Sequence, residues 1–316
     1  FLNTRSKALN SNDDSLLIYS DSIGLNKFNL VTNELTAILN GAIGEGQSLY
    51  NVRAAELDKE SHKLYLLTVT DYMNSAIVAV DLNTGTRSKV VEVNSFGEEA
   101  EPQGFAFDAV ANNFFVAINN KIFKYNEEAK TSSVIFDAAT AEDVIESAYS
   151  PIYDNKNQVL YFIDNITKSI VKLNKDGSEP VVVSSSGEQA TGSGVEINSM
   201  SSMTIDAENG LLYVASQLNR NIITVDAVSG SRELLTATCA GTELEDTGLL
   251  NVKFNSFDNT LLLDQTNQRI FDLATNECTE NGGASAHVYL PFSEEQMLFI
   301  TTDSVLQKDL ANGNFM

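Results

Sequence analysis

Short apolar runs alternate with polar turns along this chain, and the runs return at a nearly constant interval. They read Leu17-Ile18-Tyr19-Ser20-Asp21, Leu64-Tyr65-Leu66-Leu67, Phe114-Phe115-Val116-Ala117, Leu160-Tyr161-Phe162-Ile163-Asp164, Leu212-Tyr213-Val214-Ala215, Leu261-Leu262-Leu263-Asp264 and Leu298-Phe299-Ile300. Their first residues stand 47, 50, 46, 52, 49 and 37 positions apart. Branched and aromatic residues dominate, as strands prefer. A second run follows most of them, with an apolar residue, two variable ones, an apolar one and then Asp or Asn. Ile77, Val80 and Asp81 show it, as do Ile122, Tyr125 and Asn126, or Ile222, Val225 and Asp226. The Asx side chain opens a turn that leads into a further strand such as Lys89–Val93 or Pro180–Val183.

An additional strand precedes each unit and ends on an Asp or Asn six residues before the first run: Asp58, Asp108, Asp154, Asp206 and Asn255. The repeat is therefore four antiparallel strands in about 45 residues, the period of a propeller blade. The expected fold is an all-β β-propeller of seven four-stranded blades, with six or eight also compatible. It occupies residues 1–316 as a single domain. The last unit runs out near Met316 before its outermost strand, so residues 1–4 are expected to pair there and close the ring. Residues 138–147 could form one short helical turn.

The segment Glu101-Pro102-Gln103-Gly104-Phe105-Ala106-Phe107-Asp108, followed by Phe114–Ala117, resembles the strand pairs of NHL, YWTD and gluconolactonase-like propellers. Leu211–Ala215 with Asn221, Ile222 and Asp226 is similar in style. The resemblance implies the fold and spans nearly the whole chain. It carries no catalytic residues: the lactonases' Glu-Gly-Pro is replaced by Ser6-Lys7-Ala8-Leu9-Asn10, and the chain has no Trp for a YWTD motif.

Charge narrows the partners. The formal net charge is −23, from 43 acidic and 20 basic residues. That argues against nucleic acid and against an anionic membrane surface. No run of about 20 apolar residues is present to span a bilayer. The two cysteines, Cys239 and Cys278, have small or polar sequence neighbours and no zinc-site spacing. A disulfide formed in an oxidising compartment is expected, contributing about 4 kcal/mol in the chain-entropy picture. Two unpaired surface thiols are the alternative. The compartment is expected to be extracellular, periplasmic or at the cell surface.

Candidate chemistry falls on two rings. Five positions before the Asx column stand Arg53, Gln103, Tyr149, Ser201 and Leu250, with His287 and Ser6 in the remaining units. Arg53, Gln103, Tyr149 and His287 could hold a polar or carboxylated ligand, although a solvated channel mouth would be polar without one. His287 with Tyr149 and Arg53 could serve acid–base chemistry in a lyase or lactonase acting on a sugar or uronic acid. His62 falls in a hairpin tip, Glu60-Ser61-His62-Lys63, and reads as surface. A second set of acids follows the second strands: Asp21, Asp71, Asp164, Asp264 and Asp303. Asp21, Asp164 and Asp264 are candidate Ca²⁺ ligands, with ordinary turn chemistry as the alternative. Nucleotide, phosphate-loop and metalloprotease motifs are absent. The leading expectation is a binding or scaffold propeller for a protein or carbohydrate ligand.

Overall fold

A computed structural model describes residues 7–10, 15–20, 24–29, 34–39, 46, 50–58, 60–71, 74–81, 84–98, 100–141, 145–187, 190–216, 221–235, 251–255, 259–264, 269–280, 288–293, 296–300 and 305–309. In chain order the strands are β1 (Lys7–Asn10), β2 (Ser15–Ser20), β3 (Gly24–Asn29) and β4 (Glu34–Leu39), then β5 (Tyr50–Asp58), β6 (Lys63–Asp71), β7 (Asn74–Asp81) and β8 (Arg87–Glu92). Next come β9 (Pro102–Asp108), β10 (Asn113–Ile118), β11 (Lys121–Asn126) and β12 (Thr131–Asp137), then β13 (Tyr149–Asp154), β14 (Val159–Asp164), β15 (Ser169–Asn174) and β16 (Val181–Ser185). They are followed by β17 (Met200–Asp206), β18 (Leu211–Ser216), β19 (Asn221–Asp226) and β20 (Arg232–Leu235), and by β21 (Asn251–Asn255), β22 (Thr260–Asp264), β23 (Arg269–Asp272) and β24 (Cys278–Glu280). The last three are β25 (Val288–Ser293), β26 (Gln296–Ile300) and β27 (Val305–Asp309).

Each consecutive group of four forms one antiparallel meander, and β25-β26-β27 form a three-stranded sheet. The chain divides into two compact units, Phe1–Ser95 with Asn281–Met316, and Phe96–Glu280. Within the first unit, β1 and β2 approach β25. The expected closure by residues 1–4 lies outside the described residues. A 3₁₀ turn over Ala138–Thr140 occupies the connection where a helical turn was expected, and the Asp137 carboxylate caps it by accepting from the Ala139 amide.

Within the second unit the first strands of successive blades, β9, β13, β17 and β21, lie side by side. The core sits between blades. Phe115, Ile122 and Phe136 pack with Leu160, Phe162 and Val171 of the next blade. Ile163 and Ile170 pack with Leu212, Val214 and Ile223 one blade further on. The second strands are covered on both faces, so β10 and β14 are buried along their whole length. This is why they read as unbroken apolar runs. The fourth strand β12 is largely exposed, and its sequence is accordingly Thr-Ser-Ser-Val.

The turns repeat one device. Asp108 accepts from the Val110 and Ala111 amides, Asp154 from Lys156 and Asn157, and Asp206 from Glu208 and Asn209. Asp58 does the same with Glu60 and Ser61 in the first unit. All four carboxylates are buried. The fourth residue after each Asp is left-handed: His62, Asn112, Gln158 and Gly210. Here the turn, more than the side chain, selects the position.

The outer rim of the second unit is tied by Arg232. Its guanidinium donates to the Val195 carbonyl, the Ser184 hydroxyl and the Thr191 carbonyl at 2.7, 2.7 and 2.8 Å. Gly194, from the connection preceding that blade, makes a parallel bridge with Arg232. A Cβ on Gly194 would stand 1.9 Å from the Arg232 carbonyl oxygen, at a φ of +112°. Gly210 has a φ of +66° with nothing within 4 Å of a built Cβ. Gly194→Ala is therefore expected to destabilise by about 3 kcal/mol and Gly210→Ala by about 1 kcal/mol. Thermal denaturation of the two variants checks the order.

Candidate functional site

The column Arg53, Gln103, Tyr149 and Ser201 coincides with a recurring irregularity in the ladders. The β5–β6 register shifts between Val52 and Ala54, on either side of Arg53. The β9–β10 register shifts between Val116 and Ile118, where Gln103 and Gly104 stand opposite the single residue Ala117. The β13–β14 register shifts just after Tyr149, and the β17–β18 register shifts between Met200 and Ser202. A bulge bends the strand and re-aims its side chains. Each of these four first strands thus breaks the regular in–out alternation near the position that the repeat marked as a ligand ring.

Two of the expected residues meet in one place. Gln103 and Tyr149 line an open cavity of about 370 Å³ together with Asn119, Asn120, Asn165 and Ile166. Ala100, Ser147 and Ala148 complete the wall. The cavity lies between the first two blades of the second unit, beside their β10–β11 and β14–β15 turns. Asn119 and Asn120 form a two-residue hairpin loop, with Ile118 paired to Lys121 and both asparagines at positive φ. That is the geometry of the tight turns that suit strand twist. Two asparagines between apolar runs are a recognisable hairpin signal, which the ring argument passed over.

The loop is braced. The Glu98 carboxylate accepts from the Asn119 side-chain amide at 2.8 Å and from the Lys121 ammonium at 2.6 Å. The Lys121 and Asn119 bonds hold the Glu98 carboxyl below its ordinary range. The opposite wall is fixed more firmly. The Asn165 side chain donates to the Met200 carbonyl and accepts from the Met200 amide, both at 2.9 Å, which pairs it like a strand with the next blade. The Asn165 amide donates to the Ser147 hydroxyl, and that hydroxyl donates to Asp164 at 2.6 Å.

Asp164 is fully buried. It accepts from Ser147, from the Glu146, Ile166 and Thr167 amides, and from the Thr167 hydroxyl. Its two oxygens share these five bonds. Among the described residues no three His, Cys, Asp or Glu side chains gather as a metal-binding group. The side chains of Asp21 and Asp264 lie outside the described residues, as does that of Arg53 and the whole of His287. Arg53 belongs to the first unit and Tyr149 to the second. His62 is exposed in the β5–β6 turn.

Cys278, although its sequence neighbours are polar, is 7% exposed among Tyr213, Leu261 and Phe271. Cys239 lies outside the described residues.

The sequence matches no family model, and it matches no curated protein. Solved structures do resemble the fold. A chain of the nidogen–laminin complex aligns over 87% of this chain and 98% of its own length, with a TM-score of 0.56 and 13% identity. The extracellular domain of a one-component system from Bacteroides thetaiotaomicron aligns over 96% of this chain, with a TM-score of 0.61 and 10% identity. This chain spans 38% of that protein chain. A B. thetaiotaomicron protein of unknown function has a TM-score of 0.56 and 14% identity, over 81% of this chain and 65% of its own. With the antiparallel four-stranded meanders, these likenesses define the fold as a β-propeller. Among the described residues no helix is long and apolar enough to cross a membrane.

Burial raises the Asp164 carboxyl's affinity for a proton, and the bonds from Ser147, Glu146 and Thr167 lower it by more, so it titrates below the ordinary range. Its stabilising contribution is complete above the unfolded value of about 3.9 and is lost as pH falls through the lower folded value. Asp164→Asn is expected to destabilise by about 3 kcal/mol at neutral pH. The gap to the parent should narrow in acid below pH 4, as denaturation at several pH values will show.

Proposed function

We propose that the chain is a secreted or cell-surface β-propeller of seven blades that works as a ligand-binding module. The observation that carries this reading is the cavity at Gln103 and Tyr149, two residues that hold equivalent places in the repeat. Bulges aim the starts of both strands toward the cavity, and clamped turns frame it. Such preorganisation reduces what a ligand must order on binding. The likeness to an extracellular domain and to a chain of the nidogen–laminin complex supports an extracellular setting. A Cys239–Cys278 disulfide fits the same compartment, and pairing of residues 1–4 with β27 would close the ring.

Screening immobilised protein against panels of neutral oligosaccharides, acidic oligosaccharides and unstructured peptides should yield a binder. Its capture should fall at least about tenfold when Gln103→Ala and Tyr149→Ala are combined, two polar contacts at about 1 kcal/mol each. A screen with no binder sensitive to that double variant removes the reading. The enzyme alternative, a lyase or lactonase, requires turnover of a uronate or lactone that is lost in His287→Ala and kept in His62→Ala. Mass spectrometry of protein alkylated in denaturant without reductant is expected to find Cys239 and Cys278 unmodified. Two alkylated thiols would rule out the disulfide.

A further inference from the structure

The cavity's lining specifies more than a general ligand site. The chain carries 43 acidic and 20 basic residues, yet none of the described lining residues bears a formal charge. The lining offers side-chain amides, a phenol and a hydroxyl, with Ile166 as an apolar platform that is 58% exposed at the rim. The one cation bound to this turn, Lys121, is committed to Glu98 at 2.6 Å. An anionic ligand would find no counter-charge here and would approach against the field of a net −23 protein. A cationic ligand would find no carboxylate among the described wall residues.

The polar groups that remain available are of one kind. The Asn120 side chain and the Tyr149 hydroxyl make no hydrogen bond within the described residues, and Gln103 spends only its NH₂ group, on the Glu101 carbonyl at 3.2 Å. A carboxamide presents a donor and an acceptor side by side, and a phenol presents both on one oxygen. Neighbouring hydroxyls on a sugar ring present the same pair in return. The apolar side of Ile166 and the ring of Tyr149 suit the C–H faces between those hydroxyls. The volume lies toward the small end of ligand sites, which run from about 300 to 1,000 Å³.

We infer that the cavity binds an uncharged saccharide unit, presented on a neutral glycan. This rests on the binding-module reading above and adds the ligand's chemical class. Affinity electrophoresis and calorimetry with neutral oligosaccharides (gluco-, xylo-, manno- and galacto-series) are the test, with oligogalacturonate and an unstructured peptide as the other arms. At least one neutral series is expected to bind. Tyr149→Phe and Asn120→Ala should each weaken it about three- to tenfold, the effect of losing one uncharged hydrogen bond. Asp176→Asn, in a turn away from the cavity, should leave binding unchanged, and equal melting temperatures will show that each variant is folded. Binding that survives both cavity variants overturns the inference. If only oligogalacturonate or the peptide binds, and does so through Tyr149 and Asn120, the site stands and the neutral-glycan inference fails. If nothing in any arm binds through these residues, both fail.

Discussion

A four-stranded blade reverses the chain three times, and here many of the reversals share one interaction, a side-chain oxygen accepting the backbone N–H groups two and three residues ahead. Asp108, Asp154 and Asp206 make it at the first hairpin, Asp164 at the second, and Asp226 and Asp272 at the third. A peptide N–H buried without a partner is costly, so the carboxylate satisfies the turn and permits tight packing of the next blade against it. The left-handed residue that follows is set by the same geometry. Turn geometry of this kind fixes the register of the strands it joins.

Packing between blades rests on that register. Phe115 stacks on Tyr153 of the next blade at 5.1 Å, and Phe136 meets Phe162 at 5.0 Å. Asn165 then bridges to Met200 with a two-point bond that imitates strand pairing where no strand is available. The same residue lines the cavity. Site and scaffold therefore share a side chain, and the cavity inherits its rigidity from contacts made for blade packing.

Much of this was readable in the sequence. The apolar runs locate the second strands because burial on both faces removes alternation, as β10 and β14 show. The Asp column locates the turns because the interaction is local, within three residues. Gln103 and Tyr149 were reachable by counting back from that column. Other features were hidden because they depend on residues distant in sequence. Asp164 reads like any turn acid until Ser147, seventeen residues earlier, is placed against it. Asn165 gives no sign that its partner is Met200, thirty-five residues on. The burial of Cys278 is equally hidden, because local polarity describes a strand's outward face as readily as its inward one.

Arg232 gives the rim an electrical property of its own. It is 5% exposed, and its guanidinium bonds to carbonyl and hydroxyl oxygens. Fixed dipoles in a buried site are screened by dissolved ions far less than exposed charges are. The surface of a chain at −23 carries mutual repulsion that salt does relieve. Rising ionic strength thus eases the strain of the acidic exterior while the clasp at Arg232 keeps its hold, so a saline medium suits this molecule better than a dilute one.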